Sequence, residues 1–288
     1  MFEAPGHMVE APEHLFEDAV TQLNSQYSHK QRYFVTPIPR EEPGTIAAVD
    51  GGAAILWSNT VQSIGVVTAG YIVYDENHCI VHHQVRSKAV LLTGEDIDLY
   101  RFDYELQHLK EAAPFCDCVL FDGALQDIPQ TQCKQVVETL GSTTTVIGIS
   151  KKTRIDTLQR GIPDTEVLNY PGTWYYKIPE KACASVKPLG DIYIARLHER
   201  GPSFRVDVKG IPLFGRLAYF SRYLFCLGYP YPLMEIHKAT TLRDKKEYFQ
   251  NALQNAMIQQ GLENEYFSGI YYLERQKEEF HHVLDGLI

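Results

Sequence analysis

The sequence lacks an excess of basic charge and lacks long apolar runs. Its 288 residues carry 27 Lys and Arg against 36 Asp and Glu, a formal net charge of −9. No window approaches the roughly 18 consecutive apolar residues of a membrane-spanning helix. The first twenty residues also lack the basic start and apolar stretch of a secretory signal. We therefore expect a soluble, cytoplasmic protein that does not enter a membrane.

Cysteine pairs with the spacing of a zinc or redox site are also missing. The nearest two cysteines are separated by one residue, which matches neither a zinc knuckle nor a Cys-x-x-Cys redox pair. We expect all six to be reduced residues of the core: Cys79, Cys116, Cys118, Cys133, Cys183 and Cys226.

The acidic charge is concentrated at the two ends of the chain. Residues 1–21 carry five acids and no base, and residues 262–288 carry six acids and two bases, so the middle of the chain is neutral. A broad basic face for a long duplex is therefore not evident, although a local basic groove in a neutral body is compatible with this charge. The 44% hydrophobic content excludes a chain that cannot bury a core.

Hydrophobic periodicity divides the chain into three parts. Residues 1–43 are expected to be a helical or partner-binding segment, 44–261 the main domain, and 262–288 an acidic segment that is partly helical. Within the main domain, three β-rich runs from Thr45 indicate an antiparallel meander. A helix over 94–113, the strand CDCVLFDG, a helix over 129–140 and the strand TTTVIGIS follow. A further helix is predicted over 233–260.

The predicted order β-β-β-α-β-α-β is the pattern of the ribonuclease H-like fold, an α/β fold with a mixed sheet flanked by helices. Asp50 and Asp122 each follow four apolar or small residues and precede glycine, so both are expected where a strand ends, at one edge of the sheet. Two buried carboxylates at such a short distance repel each other unless a divalent cation neutralises them. A third carboxylate on the intervening helix could be Asp103, Glu105 or Glu111, and the pattern alone does not choose among them.

Five motifs resemble the NurA nucleases, partners of the HerA helicase in DNA end processing. They are IAAVDGG, YELQHLKEAAPFCDCVLFDGAL, GISKKT, SFRVD and GYPYPLMEIHKA, in that order. The resemblance extends over roughly residues 44–255. The resemblance assigns metal-binding carboxylates to Asp50, Glu105 and Asp122, the active-site tyrosine to Tyr229 and the histidine to His237. It implies 5′ to 3′ exonuclease and single-strand endonuclease activity, a homodimer, and a HerA-type hexameric ATPase as partner. Gly52 stands where this family would have a small hydroxyl residue.

The chemistry of these residue types is compatible with that assignment. Imidazole together with carboxylates suits manganese, with magnesium possible, so His237 favours a Mn²⁺ site. Tyr229 could bond a phosphate or stack on a base of a single strand. Lys151 and Lys152 directly follow the strand TTTVIGIS, so at least one is expected near Asp122, where it would neutralise a phosphate.

Two other classes of protein remain open at this point. An ATP-binding protein of the actin or sugar-kinase type also begins with a β-meander and Asp-Gly-Gly, but the expected Thr and Lys soon after Asp50 are missing. A catalytically inactive structural subunit of a helicase complex would keep the fold without using the acids. Arg205 and Asp207 in SFRVD receive no role from the sequence.

Overall fold

A nine-stranded mixed sheet forms the centre of the molecule in a computed structural model. The strands are β1 (Thr36–Pro37), β2 (Ile46–Ser58), β3 (Ser63–Tyr74), β4 (Ile80–Leu92), β5 (Cys118–Asp122), β6 (Thr145–Ser150), β7 (Trp174–Lys177), β8 (Asp191–Arg196) and β9 (Phe204–Lys209). The structure describes residues 16–21, 33–38, 40–128, 131–183, 188–226 and 228–285, without the side chains of 127, 131–133, 183 and 276–285.

The sheet has the strand order β1-β7-β8-β9-β6-β5-β2-β3-β4 and does not close. The first three long strands, β2, β3 and β4, pair antiparallel as the predicted meander. Strand β5 pairs parallel with both β2 and β6, whereas β9, β8, β7 and β1 continue the sheet antiparallel. The predicted ribonuclease H-like mixed sheet is confirmed.

Helices cover both faces of the sheet. They are α1 (Ile97–Ala112), α2 (Thr131–Leu140), α3 (Asp164–Val167), α4 (Phe214–Phe220), α5 (Tyr231–Thr240), α6 (Lys246–Gln259) and α7 (Glu263–Asp285). Alternate residues of β2 point to opposite faces. Ile46 and Ala48 pack with residues of α4 and α5, whereas Ala47 and Val49 pack with residues of α1. Strand β2 is therefore buried between the two helical layers, and its side chains can meet α1 on one face and α5 on the other.

The helix predicted over 233–260 is interrupted, and the break has a local cause. Thr241 has the extended dihedrals φ −57° and ψ 135°, so α5 ends at Thr240. The Thr240 side chain turns back to the Ile236 carbonyl oxygen at 3.0 Å and is fully buried. Leu242 then enters an apolar cluster with Leu56 and Val66, which directs the chain away from the axis of α5.

Other expectations fall partly outside the described residues. Of the predicted N-terminal helix, only residues 16–21 are described, and 17–21 are helical. Residues 263–285 form the helix expected in the acidic segment. Cys118 and Cys226 are buried free thiols as expected, but Cys79 is exposed because it lies in the turn between β3 and β4. The side chains of Cys133 and Cys183 are not described. In the described part of the chain, no helix has the length and apolar character to cross a membrane.

Candidate metal centre

The two aspartates of the Asp-Gly motifs lie side by side, although one prediction about them is wrong. Val49 of β2 is paired with Phe121 of β5, so the following residues, Asp50 and Asp122, are neighbours. Asp50 is not at a strand end, because β2 continues to Ser58 and pairs with β3 throughout. The parallel pairing of β2 with β5 stops one residue before Asp50. Both carboxylates therefore lie at the end of this parallel pair, on the same edge of the sheet.

Helix α5 brings a histidine to the two carboxylates. Asp50, Asp122 and His237 each offer one ligand atom, and these three atoms lie within 4.8 Å of one another. The His237 Nδ1 atom is 2.8 Å from Asp50 Oδ2. Residues that are far apart in the sequence therefore converge, as the resemblance implies.

Thr240 is a site residue that the sequence reasoning missed. Its hydroxyl donates a hydrogen bond to Asp50 Oδ2 at 3.0 Å. Residues three apart on a helix share a face, so Thr240 lies beside His237. A polar residue one turn after a candidate ligand was the signal that could have found it.

Glu105 is the buried acid among the three candidates on α1. Its side chain is 1% exposed, and Oε1 accepts a hydrogen bond from Arg101 Nη1 at 2.6 Å. Arg101 also contacts Asp98 at 2.8 Å. The second carboxylate oxygen, Oε2, is buried and has no hydrogen-bond partner among the described residues. It is therefore an available acceptor in the interior.

The two alternatives on α1 lie on the surface. Asp103 is exposed and accepts a hydrogen bond from Gln107 at 2.8 Å. Glu111 forms an ion pair with Arg86 at 3.1 Å. Helical spacing had left all three acids open, and burial now separates Glu105 from the other two.

The electrostatics of the cluster disfavour its negative charge. Burial raises the pKa of Asp50, the neighbouring charge of Asp122 raises it further, and His237 and Thr240 partly offset the effect. Burial also raises the pKa of Glu105 to about 7 against the opposing effect of Arg101, and both aspartates contribute to the increase. A cation in this place would stabilise the ionised carboxylates.

Lys151 and Tyr229 flank Asp122. The Lys151 Nζ atom is 2.8 Å from Asp122 Oδ2 and 4.7 Å from the centre of the Tyr229 ring. Tyr229 is buried, and burial together with the charge of Asp122 raises the pKa of its hydroxyl. The hydroxyl is therefore protonated at neutral pH. Lys152 is directed elsewhere and lines a neighbouring groove.

Two glycines permit the close approach of α1 and α5 to β2. A Cβ atom at Gly51 would lie 2.7 Å from Glu105 Oε1, and one at Gly52 would lie 2.8 Å from the Thr240 carbonyl oxygen. Real Cβ contacts are essentially never shorter than 3.0 Å. A larger residue at position 52 would therefore displace α5.

The SFRVD motif holds the loop that follows Asp122. Arg205 and Asp207 lie on β9 and form a buried bidentate ion pair. Arg205 Nε is 2.7 Å from Asp207 Oδ1, and Arg205 Nη2 is 2.8 Å from Asp207 Oδ2. Asp207 Oδ2 also accepts a hydrogen bond from the Leu125 amide at 3.0 Å. This interaction ties β9 to the end of β5, a role that the sequence alone did not indicate.

The donor set fits a divalent cation. Carboxylate oxygens suit Mg²⁺ and Mn²⁺, and imidazole adds a ligand that manganese accepts readily. The free buried oxygen of Glu105 supplies a further acceptor near the aspartates. The side chains that would hold the ion are therefore Asp50, Asp122 and His237, and Glu105 lies outside this group of three.

The fold of this chain is similar to that of solved structures, whereas its sequence matches no family model. No protein-family model matches the chain, and no curated protein matches its sequence. The antiparallel meander, joined to parallel strands and flanked by helices, is the ribonuclease H-like fold of the solved structures that this chain resembles. More narrowly, the chain has the fold of NurA nucleases.

Three NurA structures illustrate the similarity. The NurA nuclease from Sulfolobus solfataricus superimposes with a TM-score of 0.65 at 14% identity, over 87% of this chain and 97% of that chain. A second NurA structure gives 0.59 at 10% identity, over 86% and 98%. NurA bound to dAMP and manganese gives 0.52 at 10% identity, over 80% and 90%. At these identities the similarity concerns the fold, and the expected NurA resemblance is confirmed at that level.

Proposed function

We propose that this protein is a metal-dependent nuclease that hydrolyses the phosphodiester bonds of DNA. The observation that carries the proposal is the convergence of Asp50, Asp122 and His237 within 4.8 Å, on a NurA fold. The nearby buried Glu105 gives this cluster a fourth potential ligand. The NurA structure that holds dAMP and manganese supports both the class of substrate and the choice of Mn²⁺, with Mg²⁺ as the alternative.

The residues around the cluster have separate tasks in this proposal. A bound divalent ion would lower the pKa of water and stabilise the charge that develops on the phosphate. Thr240 holds Asp50 by its 3.0 Å hydrogen bond, so that one carboxylate oxygen keeps a fixed position. Arg101 orients Glu105 in the same way through Oε1 and leaves Oε2 available.

Lys151 and Tyr229 act on the substrate phosphate. The Lys151 ammonium group pairs with Asp122 in the free protein and lies where it can exchange that partner for a phosphate oxygen. The Tyr229 hydroxyl keeps its proton because its pKa is raised, so it can donate a hydrogen bond to a phosphate oxygen. Lys152 was grouped with Lys151 from the sequence, but its position favours binding of a more distant part of the strand.

The finer properties that the family resemblance implies are part of the same proposal. They are 5′ to 3′ exonuclease activity, endonuclease activity on single strands, a homodimer, and action with a HerA-type hexameric ATPase in DNA end processing. The acidic ends and neutral middle of the chain agree with a partner that delivers DNA, because weak intrinsic affinity would then suffice.

Carboxylate-to-amide variants test the proposal directly. We expect Asp50→Asn and Asp122→Asn to lower Mn²⁺-dependent cleavage of 5′-labelled single-stranded DNA by about 100-fold or more, because each removes a ligand of the ion. Asp103→Asn is the matched control, since Asp103 is an exposed acid on the neighbouring helix. Undiminished cleavage in either site variant would contradict the role of that residue. A thermal shift with ATP in the absence of any cleavage would instead favour an ATP-binding protein.

A further inference from the structure

A groove of about 590 Å³ opens beside the candidate metal centre. Ala124, two residues after Asp122, lies on one side of it, and Ser150 lies at the end of β6. Ser150 directly precedes Lys151, which contacts Asp122. The groove therefore begins at the same edge of the sheet as the carboxylates. Its lining residues Ala124 and Ser150 lie close in sequence to Asp122 and Lys151.

Its lining carries an excess of positive charge. Lys152 and Arg154 are exposed, and neither has a carboxylate partner among the residues that the structure describes. Arg205 also lines the groove, with its charge balanced by the buried Asp207. The lining carboxylate, Asp156, accepts a hydrogen bond from the Gly161 amide at 2.7 Å. The groove is therefore a positively charged surface beside the anionic cluster that would hold the cation. Positive charge in this position attracts phosphate groups.

Gln126 provides an independent indication of a ligand. Gln126 lines this groove. Its Oε1 atom is buried and has no hydrogen-bond partner among the described residues. A buried acceptor without a partner costs about 1–3 kcal/mol. A ligand that donates a hydrogen bond to this amide would remove that cost.

We propose that the groove holds the nucleotide that neighbours the scissile phosphate of a DNA strand. Lys152 and Arg154 pair with its backbone phosphates, and the Gln126 amide oxygen accepts a hydrogen bond from its base or sugar. The volume lies within the range of pockets that enclose molecules of this size, about 300–1,000 Å³. This inference rests on the proposed nuclease function. It adds a position for the part of the substrate strand that lies beyond the cleaved bond.

The test measures binding without cleavage. Fluorescein-labelled single-stranded DNA is titrated with protein in EDTA at a series of salt concentrations, and the slope of log affinity against log salt is compared. We expect Lys152→Gln/Arg154→Gln to make the slope shallower by about 1.4, because each single-strand phosphate contact contributes about 0.7. At low salt this corresponds to about tenfold or more weaker binding.

A charge-matched control separates the groove from general electrostatics. Arg86→Gln/Lys110→Gln also removes two positive charges, and Arg86 lies on the edge strand β4, which is separated from β9 by β6, β5, β2 and β3. We expect this control to keep the slope of the unaltered protein. A Lys152/Arg154 variant whose slope equals that of the control would overturn the inference, as would a protein that binds no DNA in EDTA.

Gln126→Leu tests the second half of the inference. We expect severalfold weaker DNA binding with an unchanged salt slope, because no charge is lost. We expect no decrease in melting temperature, because the change removes a buried acceptor that lacks a partner. A lower melting temperature with unchanged DNA affinity would assign Gln126 to the fold instead. These binding results are independent of the cleavage tests on Asp50 and Asp122, so the two proposals can fail separately.

Discussion

Replacing Glu105 by glutamine should remove a pH dependence of stability from the metal-free protein. Glu105 is 1% exposed, and burial raises its pKa from 4.5 to about 7. Between these values the folded protein retains a proton that the unfolded chain releases. Raising the pH therefore favours unfolding, and the contribution of this group is fully present below pH 4.5 and lost as the pH rises through about 7.

The size of the effect follows from the two pKa values. Each pH unit of this window lowers the free energy of unfolding by about 1.4 kcal/mol, so the whole window lowers it by about 3 kcal/mol. Glutamine does not ionise and resembles the protonated acid in shape. Because pH 5 already lies inside this window, Glu105→Gln should gain about 2.5 kcal/mol of stability over the unaltered protein between pH 5 and pH 8.

Urea unfolding in EDTA at pH 5 and pH 8 measures this difference. The buried tryptophans Trp57 and Trp174 provide the fluorescence signal. Asp103→Asn is the control, because it removes a carboxylate from the exposed face of the same helix and should leave the pH dependence unchanged. If Glu105→Gln keeps the pH dependence of the unaltered protein, the account of Glu105 as a strained buried acid is wrong.

Three further predictions concern other parts of the chain. Gly52→Ala should cost about 1–3 kcal/mol of stability and weaken Mn²⁺ binding in calorimetry, because its methyl group would meet the Thr240 carbonyl oxygen at 2.8 Å. Thr240→Val should weaken Mn²⁺ binding by about 10–100-fold through loss of the hydrogen bond to Asp50, and unchanged affinity would refute this role. In peptide mapping after thiol labelling, Cys79 should react in the folded protein and Cys118 only after unfolding.

The order and type of the central elements could be predicted from the sequence. Three β-rich runs separated by turn residues indicated the meander, and helical spacing indicated α1, because these signals depend on local geometry. The pairing of Asp50 with Asp122 also followed, since parallel neighbours bring equivalent residues together. The extent of β2 beyond Asp50 did not follow, because Gly51 and Gly52 are typical of a turn. Their presence within a strand reflects the close approach of two helices, which is a tertiary effect.

The supporting residues of the site were not predictable in the same way. Thr240 contacts Asp50 across 190 positions of sequence, and no local pattern relates them. Asp207 reaches the Leu125 amide only because β9 inserts next to β6, an arrangement that requires the complete sheet order. Among the acids of α1, helical spacing did not distinguish Glu105 from Asp103 and Glu111, the motif resemblance selected it, and the structure shows that it is the buried one.

Anomalous scattering from a crystal soaked with Mn²⁺ is the most direct measurement of whether these side chains form a cation site. We predict a manganese peak within coordination distance of Asp50, Asp122 and His237, and its loss in a crystal of Asp122→Asn. A peak at another position, or no peak at a Mn²⁺ concentration that supports cleavage, would contradict the account.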